Sequence, residues 1–377
     1  MNTKRYLSII LAFAIAIFCF SGCKSGKSTS QTSETVSETH EITDHNGNVV
    51  EVKNKIDRIV VCDIFPLPSV LTVFFDSAEK IVGMNQASML AAQGGLLGEL
   101  YPEILNASTS FMDGSNVNIE ELTKLEPDIV FYNASNPELG ETLKNNGQTA
   151  VAISVNKWNY DAIETLNNWI ALLDQIFPEN AKAEKVAAKS KEIYDLVQDR
   201  VKDIVPEEKQ RVFFLFQYSD TNITTSGKLF FGQYWADAIG AVNVGEELET
   251  DNSTPVNIEQ VYAWNPSLIF ITNFTQAMPE DLYNNTIGNY DWSAINAITT
   301  QNVYKMPLGM YRSYTPGVDT PITLLFLAKC CYPDLFEDID ITEETKKYYK
   351  EIFDIDLTDE QANSIFNPDA ALGNVKI

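Results

Sequence analysis

The sequence predicts an α/β fold of two lobes with mostly parallel sheets, joined by one long rigid helix. Three observations lead to this prediction. Short strand-like runs alternate with helical ones along the chain, an order typical of parallel sheets. The segment NIEELTKLEPDIVFYN at residues 118–133 recurs as NIEQVYAWNPSLIFITN at 257–273, with matching positions 139 residues apart. A long amphipathic stretch at residues 179–205 lies between the two copies.

The stretch at 179–205 has the pattern of a single helix with one apolar face. Apolar residues recur along it at intervals of three and four, among them Val186, Ile193 and Val197. Pro178 stands just before it, where the missing N–H of proline costs least. About 27 residues at about 1.5 Å each would span about 40 Å. Since the stretch contains no glycine or proline, we expect a rigid spacer between the lobes.

The first residues have the pattern of an export signal. A basic end is followed by an apolar run at 7–20 and then by Ser-Gly-Cys, which predicts a signal peptide over residues 1–22. A cysteine directly after Ser-Gly resembles the bacterial lipoprotein signal, in which the cysteine is acylated, so we expect lipidation at Cys23. A plain secretory signal is the alternative. The Ser/Thr-rich segment at 23–41 is predicted to be a flexible tether.

The remaining chain divides into an N-terminal α/β lobe (42–178), the interlobe helix (179–205) and a C-terminal α/β lobe (206–377). The expected elements of the first lobe are a hairpin over residues 41–52, strands at 58–62, 81–83, 129–131 and 149–155, and helices at 69–75, 119–125 and 159–177. The expected elements of the second lobe are the repeated helix and strand at 257–273, strands at 211–216 and 303–306, and helices at 235–239, 322–331, 342–353 and 358–366.

Composition excludes several classes of function. The net charge of −25 argues against a nucleic-acid partner. The only histidines, His40 and His45, lie in or beside the tether, so a histidine-ligated metal site in a cleft is not expected. Three scattered cysteines beyond the signal form no disulfide framework. No known catalytic motif is present, so we predict neither an enzyme nor a cofactor, although abundant carboxylates leave a secreted two-lobe hydrolase as an alternative.

Several stretches occur in the order of one known family. They are ITDHNGNVVEVKNKIDRIVV, NIEELTKLEPDIVFYN, WADAIGAVNV, DWSAINAITTQNVYKMP and FLAKCCYPDLF. Over about residues 40–366 the chain resembles the substrate-binding lipoproteins of ABC importers, in the class for ferric siderophores, haem or cobalamin. The resemblance implies the class III periplasmic-binding-protein fold, with two Rossmann-like lobes and ligand in the cleft between them.

The same resemblance implies function and location. We expect a monomer anchored by lipid on the extracytoplasmic face of the cell membrane, which delivers a small-molecule metal chelate to a permease and its ATPase. A ferric siderophore or haem is the first expectation. Cobalamin or a small oxyanion such as molybdate is the alternative. With only five arginines, the chain is poorly suited to a strongly anionic chelate.

In this family the glutamate that begins each repeated helix faces the permease. The corresponding residues here are Glu120 and Glu259, one in each lobe. Two exposed carboxylates at a fixed separation suit a two-fold symmetric partner that carries arginines. The alternative is that each glutamate only stabilises the first turn of its helix.

Ligand contacts are expected in the loops that follow strand ends, where the lobes face each other. The candidates are Phe65, Met112, Asn133, Tyr218, Phe230, Asn273, Tyr311 and Arg312. Arg312 is the foremost of them, because a guanidinium within a Tyr-Arg-Ser-Tyr loop suits a carboxylate, phosphate or chelate oxygen. The alternative is a surface arginine paired with Asp319.

Overall fold

Two β-sheets form the frame of the computed structural model, which describes residues 37–114 and 116–369. The strands are β1 (Thr39–Thr43), β2 (Val49–Lys53), β3 (Ile59–Val61), β4 (Ile81–Gly83), β5 (Met112–Asp113), β6 (Asn116–Val117), β7 (Ile129–Asn133), β8 (Ala150–Ile153), β9 (Arg211–Ser219), β10 (Asn222–Ser226), β11 (Val242–Asn243), β12 (Ser253–Val256), β13 (Leu268–Ile271) and β14 (Val303–Lys305).

Helices connect these strands and cover the sheets. They are α1 (Leu67–Phe75), α2 (Gln86–Gly94), α3 (Leu96–Leu100), α4 (Ile119–Lys124), α5 (Pro137–Asn145), α6 (Ala162–Ile176), α7 (Ala183–Val201), α8 (Phe231–Ala238), α9 (Ile258–Trp264), α10 (Pro279–Asn284), α11 (Asn296–Thr299), α12 (Thr320–Cys331), α13 (Ile341–Phe353) and α14 (Asp359–Phe366). No helix in the described ranges combines the length and apolar character needed to cross a membrane.

The first sheet has the order β4-β3-β7-β8 and is entirely parallel. The second has the order β12-β10-β9-β13-β14, with β11 also paired to β9. In this second sheet β9, β11, β13 and β14 run parallel, whereas β10 and β12 form an antiparallel edge. We call the first sheet with its flanking helices the first lobe. The second sheet with its flanking helices is the second lobe. The predicted α/β architecture with mostly parallel sheets is confirmed.

Successive side chains of a strand point to opposite faces of its sheet. One face of each sheet packs against a core shared by both lobes, and the other face packs against a separate outer core of its own lobe. In β3, Ile59 and Val61 face a large cluster that continues through the helices into the second lobe. Val60, between them, faces a separate cluster on the outer side of the first sheet. In β13, Phe270 faces the shared cluster and Ile269 an outer cluster of the second lobe. The lobes are therefore joined by a continuous apolar core, and the described residues from Glu38 onward form one compact unit.

The long helix α7 is shorter than the predicted stretch at 179–205. Its start at Ala183 is set by Asp174 of α6, whose carboxylate accepts hydrogen bonds from the main-chain N–H groups of Lys182 at 2.9 Å and Ala183 at 2.7 Å. Pro178–Asn180 forms a separate 3₁₀ turn before it. Its 19 residues span about 28 Å.

The apolar face predicted for this helix is present. Val186, Ser190, Ile193, Val197 and Val201 are its buried residues. They pack the helix between α6 of the first lobe and α12 of the second. The helix therefore contacts both lobes.

The sequence repeat is also a structural repeat. In each copy an asparagine caps a short helix: Asn118 accepts from the N–H groups of Glu120 and Glu121, and Asn257 accepts from that of Gln260. The caps are 139 residues apart, as the repeat predicts. Each cap fixes the first turn of its helix and thereby the position of the glutamate in that turn.

The end of each repeated helix is built in the same way. Glu126 and Asn265, again 139 residues apart, both have left-handed backbone conformations, with φ of 45° and 42°. Arg58 donates to the carbonyl of Leu125 at 2.8 Å, and Arg211 donates to that of Trp264 at 3.0 Å. An arginine at the start of the first strand of each lobe thus satisfies the last carbonyl of the repeated helix.

The structure tests only some of the predictions for the N-terminal region. The hairpin turns as expected, with Gly47 at φ +80° and the Asp44 carboxylate accepting from the main chain of Asn46 and Asn48. Strand β1 begins at Thr39, inside the segment predicted as tether. The signal peptide at 1–22 and Cys23 lie outside the described residues. Within the described ranges the cysteines are the free thiols Cys62, Cys330 and Cys331.

Candidate functional site

Arg312 lies where the two lobes meet. Its side chain is fully buried. The guanidinium Nε donates to the carbonyl of Asn273 at 2.9 Å, and Nη1 donates to the carbonyl of Ala87 at 3.2 Å. Ala87 belongs to α2 of the first lobe, so one side chain of the second lobe reaches across the cleft. The alternative of a surface arginine is wrong, and Asp319 instead accepts from the Tyr349 hydroxyl and from the N–H of Met310.

Two further candidates surround this guanidinium. Tyr311 is buried, and its hydroxyl accepts from Arg312 Nη1 at 3.2 Å. Asn273 follows β13, and its amide donates to the carbonyls of Met306 and Pro307 after β14. The loops after two neighbouring parallel strands are thus tied together beneath the arginine, at the sheet edge where a ligand site is expected.

A row of aromatic rings extends from Arg312 along the second lobe. The guanidinium lies 5.4 Å from the centroid of Phe274, which stacks on Phe216 at 4.9 Å. Phe216 in turn contacts Phe230 at 5.9 Å. We call Phe274, Phe216 and Phe230 the aromatic row. Phe274 and Phe216 are buried, whereas Phe230 is partly exposed and meets Phe216 edge-on, at an interplanar angle of 74°. The Arg312 cation lies at the Phe274 end of the row.

The far end of the aromatic row meets the first lobe at Tyr160. The Tyr160 ring lies 5.2 Å from Phe230 and 4.8 Å from Phe231, and its hydroxyl donates to the carbonyl of Asp251 at 3.1 Å. Asn159 and Tyr160 both have positive φ, 52° and 60°. Two consecutive residues in this region are strained, and such strain persists only where other contacts stabilise it. The Phe230 end of the aromatic row is therefore in contact with the first lobe, and at the other end Arg312 reaches the first lobe at Ala87.

Lys305 on β14 shapes the loop that carries Asn273 and Phe274. Its buried ammonium donates to the carbonyls of Thr272 at 3.0 Å, Thr275 at 2.7 Å and Ala277 at 2.7 Å. Burial lowers the pKa of Lys305 to about 7. Since the three N–H groups of the ammonium match three carbonyls, this side chain determines the course of the loop beside Arg312.

Two first-lobe candidates, Phe65 and Asn133, lie at the carboxyl end of the first sheet, and the third, Met112, does not. Phe65 is partly buried, and its carbonyl accepts from the hydroxyl of Ser88 on α2 at 2.7 Å. Asn133 ends β7, where its main-chain N–H donates to Asp63 at 2.6 Å. Met112 lies on β5 and packs against the outer core of the first lobe. Their side chains have no described contact with Arg312.

Tyr218 lies away from the other candidates. Its hydroxyl donates to the carbonyl of Ile287 at 2.8 Å and accepts from Trp292 at 2.9 Å, within the outer core of the second lobe. The register of β9 against β10 shifts between Thr224 and Thr225, and this irregularity puts Tyr218 on the face opposite to Phe216. Tyr218 is therefore a core residue and is no longer a candidate ligand contact.

A cavity of about 550 Å³ opens beside Phe230 at the junction of the lobes. Lys157 and Trp158 line it from the first lobe, and Phe230 and Tyr234 line it from the second. Its volume lies within the range of small-molecule sites. No group of three or more His, Cys, Asp and Glu side chains in the described part of the chain could hold a metal ion.

Sequence reasoning missed four contributors to this cleft. The Ala87 carbonyl belongs to the main chain, so no side-chain pattern indicates it. Tyr160 and Lys305 were not singled out, although each directly follows or lies on a predicted strand or helix. Phe274 follows Asn273 directly, and extending the candidate loop by one residue would have found it.

These features define a two-lobed binding protein whose cleft carries a buried arginine and an aromatic row. Comparison with known proteins agrees with this class. The chain belongs to the periplasmic binding protein family, which it matches over residues 80–308. The predicted resemblance to the substrate-binding proteins of ABC importers is thereby confirmed. The protein is a binding protein for transport, and the alternative of a hydrolase is wrong.

Individual relatives cover most of the chain. A periplasmic solute binding protein from Veillonella parvula has a similar structure, with a TM-score of 0.78 and 29% identity, over 87% of this chain and 97% of that one. The molybdate-binding protein MolA of Haemophilus influenzae is 24% identical over 331 residues, 83% of this chain and 90% of its own. The ABC transporter substrate-binding lipoprotein YvrC of Bacillus subtilis, whose function is uncharacterized, is 22% identical over 89% of this chain and 100% of its own.

Proposed function

We propose that the protein is the solute-binding component of an ABC importer and that its solute is a compact oxyanion of the size of molybdate. The solute lies between Arg312 and the first lobe. The observation that carries this proposal is the hydrogen bond from Arg312 to the carbonyl of Ala87, because it brings the main chain of one lobe within a single side chain of the other. At this point the cleft suits a small ligand better than a bulky chelate.

The charge of Arg312 and the similarity to a molybdate-binding protein support the same solute. A buried guanidinium favours an anion, and its planar fork of donors matches an oxyanion with two oxygens in one plane. The similarity to a molybdate-binding protein over most of both chains supports this choice.

A second candidate is haem or a ferric siderophore, the first expectation from the sequence. The partly exposed ring of Phe230 in the aromatic row favours it, because flat conjugated ligands stack on aromatic rings. A cation at one end of the row would pair with a carboxylate of the ligand. Either solute requires the 3.2 Å contact between Arg312 and Ala87 to open, and the oxyanion requires a smaller separation of the lobes than haem or a siderophore does.

Delivery to a permease is proposed to use Glu120 and Glu259. Both side chains are exposed, and each lies in the first turn of a helix capped by an asparagine. Lys124 pairs with Glu120 at 3.0 Å, an exposed ion pair that an arginine of the permease could replace at little cost. The repeat places the two glutamates in equivalent positions of the two lobes, which suits a two-fold symmetric partner.

Lipid anchoring at Cys23 completes the proposal. A diacylated cysteine gives stable membrane attachment, and residues 23–38 would then act as a tether for a monomeric protein on the extracytoplasmic face. The lipoprotein YvrC, which the chain resembles over most of its length, supports this location. Mass spectrometry of the membrane-extracted protein tests it, because acylation adds the mass of the lipid to a chain that begins at Cys23.

The solute is tested by calorimetric titration of the purified protein with molybdate, tungstate, sulfate, haemin and a ferric siderophore. We expect stoichiometric binding of molybdate or tungstate and none of haemin. Binding of haemin or of the siderophore alone would select the second candidate. Recovery of chemically altered ligand would contradict the role of a binding protein altogether.

A further inference from the structure

Tyr160 of the first lobe contacts two separate parts of the second lobe. Its ring packs edge-on against Phe230 and Phe231, at the start of α8, with centroid distances of 5.2 Å and 4.8 Å. Its hydroxyl donates to the carbonyl of Asp251, in the loop before β12, at 3.1 Å. The side chain of Asn156, in the first lobe, donates to the same hydroxyl. One tyrosine thus combines an apolar and a polar contact at the junction of the lobes.

The turn that carries Tyr160 is fixed to the first lobe on both sides. Before it, the ring of Trp158 packs edge-on against His45 at 5.0 Å, and Lys157 donates to the carbonyl of His45 at 2.8 Å. His45 follows β1 and is itself hydrogen bonded to β8. After the turn, the carboxylate of Asp161 caps the first turn of α6. The tyrosine therefore projects toward the second lobe from a base that belongs to the first.

The partners of Tyr160 in the second lobe are tied to each other. The main-chain N–H groups of Lys228 and Leu229 donate to the carbonyls of Leu248 at 2.8 Å and of Thr250 at 3.0 Å. These two bonds join the loop before α8 to the loop before β12. The residues that Tyr160 contacts directly follow the bonded positions in each loop. Its partners therefore form one unit, which moves with the second lobe.

The backbone of this turn is strained. Asn159 and Tyr160 have φ of 52° and 60°, in the left-handed region that residues other than glycine and asparagine rarely adopt. Strain of this kind persists only where the surrounding contacts stabilise it. For Tyr160 these contacts include the rings and the carbonyl of the second lobe. When they are lost, the turn can relax, and the strain then opposes their return.

Tyr160 and Arg312 connect the lobes at the two ends of the aromatic row. Arg312 reaches the carbonyl of Ala87 beside Phe274, and Tyr160 meets Phe230 at the other end. Two separated contacts restrict the rotation of one lobe on the other, whereas a single contact leaves a point about which the lobes can turn. The contact of Tyr160 therefore sets the relative orientation of the lobes together with that of Arg312.

We propose that Tyr160 is a latch that holds the two lobes in one relative orientation, and that the strained turn at Asn159 and Tyr160 favours its release once the lobes begin to separate. Tyr160 is a positioning residue in this role, because it acts on the second lobe and not on the solute. Since its ring covers one side of the partly exposed Phe230 ring, release of the latch also opens the Phe230 end of the aromatic row.

The test measures the distance between the lobes by double electron–electron resonance, in the full-length protein without added solute. Spin labels are attached through azide-bearing residues introduced at Glu138 of α5 and Glu280 of α10, so the native cysteines stay unlabelled. Both positions are exposed and lie in the first turn of a helix, one in each lobe.

In Tyr160→Ala we expect the population outside the wild-type distance range to rise about tenfold, because ring contacts and a hydrogen bond across the junction are lost. Tyr160→Phe keeps the ring and loses the hydrogen bond to Asp251, so it should show a smaller rise. Asn159→Val should also broaden the distribution, since a β-branched residue at positive φ adds strain while the Tyr160 side chain remains.

The matched controls are Tyr262→Ala and Gln301→Val. The hydroxyl of Tyr262 likewise donates to a main-chain carbonyl, that of Asp291, but both residues belong to the second lobe. Gln301 has φ of 59° and lies just before β14, away from the junction. Both controls should keep the wild-type distribution.

A wild-type distribution in Tyr160→Ala would overturn the proposal, as would equal broadening in Tyr262→Ala. A wild-type distribution in Asn159→Val would contradict the part assigned to the strained turn. Because no solute is added, these outcomes do not depend on which solute the protein binds, and they leave the proposed transport function to its own test.

Discussion

Arg312 of the second lobe donates a hydrogen bond to the main-chain carbonyl of Ala87 in the first lobe at 3.2 Å. The donor side chain is fully buried and is supported from below by Phe274, while Asp319 holds the turn before it through the N–H of Met310. The lobes are therefore in polar contact at the residue that the sequence singles out as a ligand contact. A solute that enters here displaces the Ala87 carbonyl and takes over the donor that Arg312 presents to it.

Replacing Arg312 by lysine should weaken solute binding by about tenfold or more, because lysine keeps the charge but loses the planar fork of donors. Arg312→Gln, which also removes the charge, should weaken it further. The measurement is calorimetric titration with whichever solute the wild type binds.

The matched control for Arg312 is Arg200→Lys. Arg200 forms a two-bond pair with Asp338 at 2.6 and 2.8 Å on the outside of the second lobe. Its replacement should leave solute affinity unchanged. Wild-type affinity in Arg312→Lys would remove this residue from the site.

The variant Glu120→Ala/Glu259→Ala should abolish transport and leave solute affinity as it is. The reason is that both carboxylates are exposed on the repeated helices, away from the cleft loops. Uptake of labelled solute by cells that carry the cognate permease is the measurement, with calorimetry on the purified variant beside it.

The control for the docking pair is Glu138→Ala/Glu280→Ala. These residues are also first-turn glutamates, one on α5 of the first lobe and one on α10 of the second. They should support normal uptake. Full uptake by the variant of Glu120 and Glu259 would refute their assignment to docking.

Asp319 should make the fold more stable at mildly acidic pH. Burial raises its pKa to about 6, whereas an unfolded aspartate titrates near 4. Between these values the folded state binds the proton and the unfolded state does not, so the free energy of unfolding rises as pH falls from 7 to 4. A shift of about two units corresponds to roughly 3 kcal/mol.

The test of Asp319 is denaturant unfolding of the wild type and of Asp319→Asn between pH 4 and 7. The stability gap between the two proteins should change across this range, since the asparagine does not titrate. If the gap stays constant, Asp319 has an ordinary pKa.

Much of the fold could be predicted because it depends on local patterns. The repeat at Asn118 and Asn257 fixed two helix–strand units, and the structure shows that even the left-handed residues at their ends correspond. The length of α7 could not be predicted in the same way. Its start depends on Asp174, which lies on a neighbouring helix and acts through tertiary contact.

The sequence predicts which loops meet at the candidate site, but not on which face of its strand each side chain lies. Arg312, Tyr311 and Asn273 meet as expected, because the loops after parallel strands share one edge of the sheet. Tyr218 does not join them, because the irregular pairing of β9 with β10 reverses the face on which it lies. Nothing in the alternation of β9 indicates that irregularity.

Lobe closure should be modest. The shared apolar core continues from the first sheet through α6, α7 and α12 into the second, and the described part of α7 contains no glycine or proline at which it could bend. Separating the lobes widely would expose part of this core, which costs about 25 cal/mol for each Å² of apolar surface. Small-angle scattering with and without solute should show a change of less than about 1 Å in a radius of gyration of roughly 20 Å. A compaction of several ångströms would contradict this, and it would show that the core between the lobes opens as the solute leaves.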